Sequence, residues 1–256
     1  MKTGKSISHL LKAAFISISA IGIASCTDSP SSPSQSGSSV VMRTQLDNTV
    51  THPFQGLTEN HTRALGALAD SIQVTSAAFV VSDFELRSDA NDIANENFSE
   101  ETIRREQFLL AFDANREYIG ERIVLADSYL RSKFTIHPLV GKSDSLALSM
   151  GPLYTTLFAN SVADNTIVIH GFVWKDGLKM PFSYSSKASG SGSVVFDSPL
   201  VIAAGAGQTE VLIHFSGARA FSTGEGTLMD PRDSKNTSGI ESNLKVSLSA
   251  SMSTGS

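Results

Sequence analysis

Cysteine is all but missing. Cys26 is the only one in 256 residues. A lone thiol excludes a disulfide framework, and the chain has no cysteine pair to hold zinc. Tryptophan is equally scarce, with Trp174 alone. Long apolar runs are missing too. The stretch Ala13 to Ala24 (AAFISISAIGIA) covers twelve residues, short of the ~20 that cross a bilayer as a helix. Positive charge is in deficit, with 20 basic against 25 acidic residues. That balance argues against nucleic acid, whose binding rests on phosphate neutralisation. It also argues against a polybasic contact with anionic lipid.

What is present begins with an export signal. Lys2, Lys5 and Lys12 supply a positive leader, the twelve-residue apolar run follows, and Ile23-Ala24-Ser25-Cys26 closes it. The segment resembles the lipobox of bacterial lipoproteins: a branched aliphatic, two small residues, then cysteine. Residues 1–25 are therefore expected to be a cleaved signal, cut between Ser25 and Cys26. Cys26 is expected to carry a covalent lipid, and several acyl chains give a stable membrane anchor where one does not. No other cofactor is expected. Thr27 stands where Asp retains many Gram-negative lipoproteins in the inner membrane, so the expectation is the outer membrane.

Removing residues 1–25 from a chain of 256 leaves 231. The leader holds three lysines and no acid, so 17 basic and 25 acidic residues remain, a net charge of −8. Residues 26–39 form the lipid-bearing cysteine and a tether: Thr27 to Ser39 holds seven serines, two prolines and one glycine, a composition that cannot build a core. Residues 40–256 are expected to be one domain, a length that buries most of its surface on folding.

Alternation of apolar and polar residues dominates that domain. Ile72–Leu86 is long and β-rich, and its apolar set changes phase beyond Ser82, which predicts a bulge or bend at Ser82-Asp83. Gln107–Phe112 is a short strand. Tyr129–Ile136 alternates, with Tyr129, Arg131, Lys133 and Thr135 on one face and Leu130, Phe134 and Ile136 on the other. Pro138 ends it, having no N–H for a ladder. Asn165–Trp174 and Leu178–Tyr184 flank Asp176-Gly177, a strong hairpin signal because that turn needs positive φ. Strands follow near Ser193–Ile202 and Glu210–Phe215, joined by a turn at Ala204–Gly207. Eight or nine strands predict an antiparallel β-sandwich, with a barrel as alternative.

Two stretches break the pattern. Thr58–Ala69 has leucines at helical spacing. Ser238 and Glu241 make a capping box, and Ile240, Leu244 and Leu248 follow at i, i+4 spacing. A short helix near the N-terminus and a capped C-terminal helix are predicted.

In order, these segments resemble uncharacterised Gram-negative envelope lipoproteins with a β-sandwich core. The residues that carry the resemblance are Ile72–Leu86, Phe108–Asp113, Tyr129–Pro138 with its His-Pro end, Ile167–Tyr184, Asp230-Pro231 and Ile240–Leu248. Asp127 departs from the family, which has glycine there. The resemblance implies a fold and an envelope location, and no chemistry.

Candidate sites are few. His170 and His214 sit in predicted strands, and a metal could be shared by them only with further ligands, since zinc takes three or four. His52, His61 and His137 have no spacing that joins them. No G-x-S-x-G elbow is present, and Gly190–Val194 reads as a flexible loop. Asp230, Asp233 and Asn236 fail the calcium-loop spacing and read as turn and capping residues. The acidic, Asn-rich Ser88–Arg105 reads as a solvated loop. Phe172 and Trp174 share one face of their strand. Burial as core is the ordinary fate of such rings, and a ligand-facing role is the alternative.

The expected function is a lipid-anchored envelope protein that presents a β-sandwich interaction or structural module to a protein or glycan, without catalysis. The alternative is an envelope hydrolase or metal-binding protein built on His170 and His214.

Overall fold

The computed structural model describes residues 37–47, 68–88, 100–138 and 165–253. Cys26, Ser25 and the tether lie outside the described residues. In chain order the elements are β1 (Ser38–Asp47), β2 (Leu68–Ala69), β3 (Ser71–Arg87), β4 (Glu100–Arg104), β5 (Phe108–Phe112), β6 (Tyr118–Val124) and β7 (Asp127–Ile136). Then come β8 (Ile167–Lys175), β9 (Leu178–Ser186), β10 (Gly190–Ile202) and β11 (Gln208–Ser216). The helix α1 (Gly217–Phe221), β12 (Leu228–Met229), a 3-10 turn (Ser234–Asn236), α2 (Thr237–Leu244) and β13 (Leu248–Ser253) complete the order.

The protein is mainly β, but the sheet is mixed. Its order is β6-β1-β11-β13-β10-β7-β3-β8-β9, with β4 and β5 added along β3. β1 runs parallel to β11, and β10 parallel to β13. The expectation of an antiparallel sandwich is corrected on this point: long connections bring β1 and β13 into the sheet beside strands that point the same way.

The sheet folds over on itself. Phe79 of β3 and Phe215 of β11 stand four strand spacings apart along the ladder, roughly 19 Å if the sheet were flat. Their ring centroids are 5.7 Å apart. Phe112 of β5 touches both, at 5.9 Å and 5.7 Å. One continuous core therefore lies between the two arms of a curled sheet, and these three buried rings form its centre. At one end Phe221 of α1 packs edge-on against Phe182 and Tyr184 of β9. Each such ring contributes roughly 1.5–3 kcal/mol by burial.

β3 is the spine. Val80 donates its N–H to Thr166 and accepts from the N–H of His137. Both groups of one strand residue point to the same edge, so the end of β7 and the start of β8 meet there head to tail. The predicted bend is present: Asp83 has φ 50°, and the registers of β4 and β7 against β3 both shift beside it. A clasp holds the bend. Ser82 Oγ donates to Asp83 Oδ2 at 2.7 Å, and His137 Nε2 lies 2.9 Å from Ser82 Oγ. On its other side His137 Nδ1 lies 3.0 Å from both Gln107 Nε2 and the Pro138 carbonyl oxygen, and Gln107 Nε2 donates to that carbonyl at 3.0 Å.

Other expectations change in detail. Tyr129 is fully buried instead of sharing an outer face with Lys133. Opposite it, β10 bulges between Val195 and Leu200, and the Tyr129 hydroxyl donates to the Leu125 carbonyl. Gly190–Val194 opens β10 and is no loop; Gly192 lies so close to the Phe134 ring that no side chain fits. Asp127 is an extended strand residue. Glu100–Arg104, assigned to the acidic loop, is the strand β4, while 89–99 lie outside the described residues. Of the predicted Thr58–Ala69 helix, 58–67 also lie outside them, and Leu68–Ala69 pair with β12.

The C-terminal helix exists but is shorter than predicted. Ile240 and Leu244 face the core, whereas Leu248 already belongs to β13. The capping box does not form. Ser238 lies inside the helix, and Glu241 accepts instead from Ser186 Oγ at 2.6 Å. Asp230, Asp233 and Asn236 act as turn and capping groups: Asp233 accepts from the Lys235 N–H, and Asn236 Nδ2 donates to the Asp230 carbonyl.

Candidate functional site

The hairpin β8–β9 is set by its turn. Asp176 and Gly177 have φ 52° and 75°, the left-handed pair that a two-residue hairpin turn needs. Counting outward from that turn fixes the register, which pairs Trp174 with Lys179, Phe172 with Pro181 and His170 with Ser183. On the other side β3 sets Ser71 against Trp174, Gln73 against Phe172 and Ser76 against His170.

Alternation then decides the faces. Ile169 and Val173 point into the core and are fully buried. His170, Phe172 and Trp174 point outward and are half-buried. The core reading of Phe172 and Trp174 is thereby corrected: the inner face is already filled by Ile169, Val173, Phe182 and Tyr184. Gly171 lies between them, pressed against the Gln73 backbone and the Phe182 ring.

Lys179 crosses from β9 over both outward rings. Its ammonium stands 4.1 Å from the Phe172 ring centroid and 5.0 Å from that of Trp174. Such cation–π contacts contribute roughly 0.5–1 kcal/mol at exposed sites. Burial lowers the pKa of His170 below its ordinary value, so the imidazole is held neutral. Pro181 on the edge strand β9 has no N–H to offer an incoming strand, which blunts that edge.

The result is an aromatic ledge about 13 Å long, four residues of strand rise. Serine, glutamine and lysine side chains flank it. It can stack the apolar face of a ring on Phe172 and Trp174 and offer hydrogen bonds beside them. Lys179 was not singled out from the sequence, although the Asp-Gly turn implies its place opposite Trp174.

His170 and His214 are not brought together. His214 sits on β11 between core-facing Ile213 and Phe215. It therefore points out of the opposite arm of the sheet, with Phe79 and Phe215 packed between the two positions. Its hydrogen bonds go to Asp47 and Ser251. Among the described residues no group of three or more His, Cys, Asp and Glu side chains is arranged to hold a metal ion, and no helix is long and apolar enough to cross a membrane.

Compared with protein-family models, with curated proteins and with solved structures, the chain matches none.

Proposed function

We propose that this chain is a lipid-anchored protein of the cell envelope whose β-rich domain is a binding module, with the ledge of Phe172, Trp174 and Lys179 as its binding surface. The observation that carries the reading is the outward placement of both rings beneath one ammonium group. Aromatic side chains reach solvent on this face while the core beneath is complete without them. The ligand class that fits is a glycan. Sugar C–H faces stack on aromatic rings, and sugar hydroxyls accept from Lys179 and exchange hydrogen bonds with Gln73 and Ser183. The lipobox-like Ile23–Cys26, the Ser/Pro tether and the resemblance to envelope lipoproteins support the location.

Trp174 is the sole tryptophan, so its emission reports on the ledge alone. Titration with envelope-derived oligosaccharides should shift or quench that emission, and Phe172→Ala should weaken the response. Emission indifferent to every glycan at millimolar concentration sinks the ligand class. The anchor is tested separately: Cys26→Ala should move the protein from the membrane fraction to the soluble one. Protease treatment of intact cells then tells a surface-facing domain from one that is protected in the periplasm.

A further inference from the structure

The aromatic ledge is covered by its own cation. Lys179 is exposed along β9, yet its ammonium lies 4.1 Å from the Phe172 ring centroid and 5.0 Å from that of Trp174. Non-bonded heavy atoms in contact stand about 3.5–4.0 Å apart. The ammonium therefore occupies the height over Phe172 that a stacked sugar ring would take. Other cations of the fold are held by acids: Arg43, Arg87, Arg104 and Arg232 each pair with a glutamate or an aspartate. Among the described residues no carboxylate pairs with Lys179. Its charge rests on two rings instead.

The surroundings add no acid to that row. The register sets Ser71, Gln73 and Ser76 of β3 on one side of the rings, and Pro181 and Ser183 of β9 on the other. None of these ionises. Burial holds His170 neutral at pH 7. Asp70 and Asp176, the acids nearest along the chain, stand at the turn end of the hairpin. The ledge is thus a basic spot on a chain with 25 acidic and 20 basic residues. A neutral sugar must push the ammonium off the rings and offers it only neutral acceptors in exchange. A sugar with an acid group offers an ionised acceptor, and a charge-assisted hydrogen bond is roughly twice as strong as a neutral one.

We propose that Lys179 is a movable cover that selects sugars bearing a carboxylate, such as uronic acids, over neutral ones. The inference rests on the reading of the ledge as a glycan surface. In the free chain the ammonium lies over both rings. On binding, the lysine stem swings aside, Nζ pairs with the sugar carboxylate, and the C–H face of the sugar takes the vacated ring. Lys179 is the cross-strand partner of Trp174, so its flexible four-carbon stem keeps the ammonium within reach of a ligand stacked there. Phe172 and Trp174 are two residues apart, roughly 7 Å along the strand, which spaces them for successive sugars of one chain.

The test uses the full chain in a non-ionic detergent at neutral pH and follows Trp174 emission. The probes are a galacturonic acid trisaccharide, a neutral galactose trisaccharide of the same linkage, and sodium acetate. The acidic trisaccharide should bind about tenfold more tightly than the neutral one, the lower end for a hydrogen bond to a charged group. That preference should shrink in about 1 M salt, where the Debye length is about 3 Å. Acetate should give no response at the concentrations that saturate the acidic trisaccharide. Lys179→Ala should erase the preference and leave the neutral trisaccharide bound as well as before or better, since the cover is gone. Lys179→Arg should keep the preference. Equal affinity for the two trisaccharides overturns the selection and leaves the glycan surface standing, whereas silence toward both overturns the two readings together. An equal response to acetate marks a bare anion site and overturns the proposal, as does a preference that survives Lys179→Ala. Should that variant fail to fold, the salt dependence of the unmodified chain decides: a preference undiminished by salt overturns the role of the ammonium.

Discussion

Gly171 of β8 lies so close to Gln73 of β3 that a methyl group added to the glycine would overlap the Gln73 carbonyl oxygen. The same methyl would stand 2.8 Å and 2.9 Å from two ring atoms of Phe182. The close approach lets the strand that bears the ledge seat itself on the spine. Neither obstacle can step aside cheaply, since one is ladder backbone and the other a core ring. Gly171→Ala should destabilise the fold by about 3 kcal/mol, the upper end for overpacking. Urea denaturation should show a lower midpoint with an unchanged slope. Gly192→Ala meets only the Phe134 ring and should cost less.

Lys179→Ala should change the Trp174 emission with little effect on stability. The ammonium contributes no more than about 1 kcal/mol through its two ring contacts if the site is exposed, but it polarises and partly covers the indole. Lys179→Arg should restore most of the emission, because a guanidinium also stacks on aromatic faces. Unchanged emission in Lys179→Ala would mean that the lysine does not rest on the rings in solution.

Much of this arrangement is legible in the sequence, for local reasons. The Asp176-Gly177 turn, the phase change at Ser82-Asp83 and the β8–β9 alternation are near-neighbour signals. What was not legible depends on partners distant in sequence. Whether the Phe172 face or the Val173 face is inner depends on α1 and β9 filling one side. The parallel placement of β1 beside β11 depends on connections no periodicity reports. The capping box at Ser238 and Glu241 fits local rules, yet Ser186, 55 residues away, takes the glutamate. Asp47, His214 and Ser251 come from three separate strands, so no spacing along the chain could have joined them.

Ser132→Ala should raise stability. The Ser132 side chain is fully buried, and among the described residues its hydroxyl has no hydrogen-bond partner. A buried polar group without a partner costs roughly 1–3 kcal/mol, and alanine removes the oxygen while leaving the backbone ladder of β7 intact. The expected gain is about 1 kcal/mol, read as a higher urea midpoint. A loss of stability would show that the hydroxyl is solvated or bonded in solution.

The pH dependence of stability should fall in three windows. Burial holds His170 below its ordinary value of 6.5. The unfolded chain therefore binds that proton first, and stability is full above about 6.5 and lost as pH falls through the folded value. Asp230 is pushed up by burial, but hydrogen bonds from the Arg232 side chain and backbone, with the charges of Arg232 and Lys175, together outweigh that and leave it below 3.8. Its contribution is present above 3.8 and is lost as pH falls further. Glu85 works in the opposite sense. Burial first, then Glu100, raises it above 4.5, so stability is gained as pH falls through its folded value toward 4.5. Urea midpoints measured from pH 8 to pH 3 separate the three. His170→Gln should flatten the limb below 6.5 and leave the others. Glu85→Gln should remove the gain that precedes 4.5. Arg232→Ala should weaken the chain at neutral pH by about 1.5–3 kcal/mol, the range for a hydrogen bond to a charged group, and blunt the final acid limb. A His170→Gln profile that overlays the parent between pH 7 and pH 5 would show that the imidazole is as solvated in the folded chain as in the unfolded one.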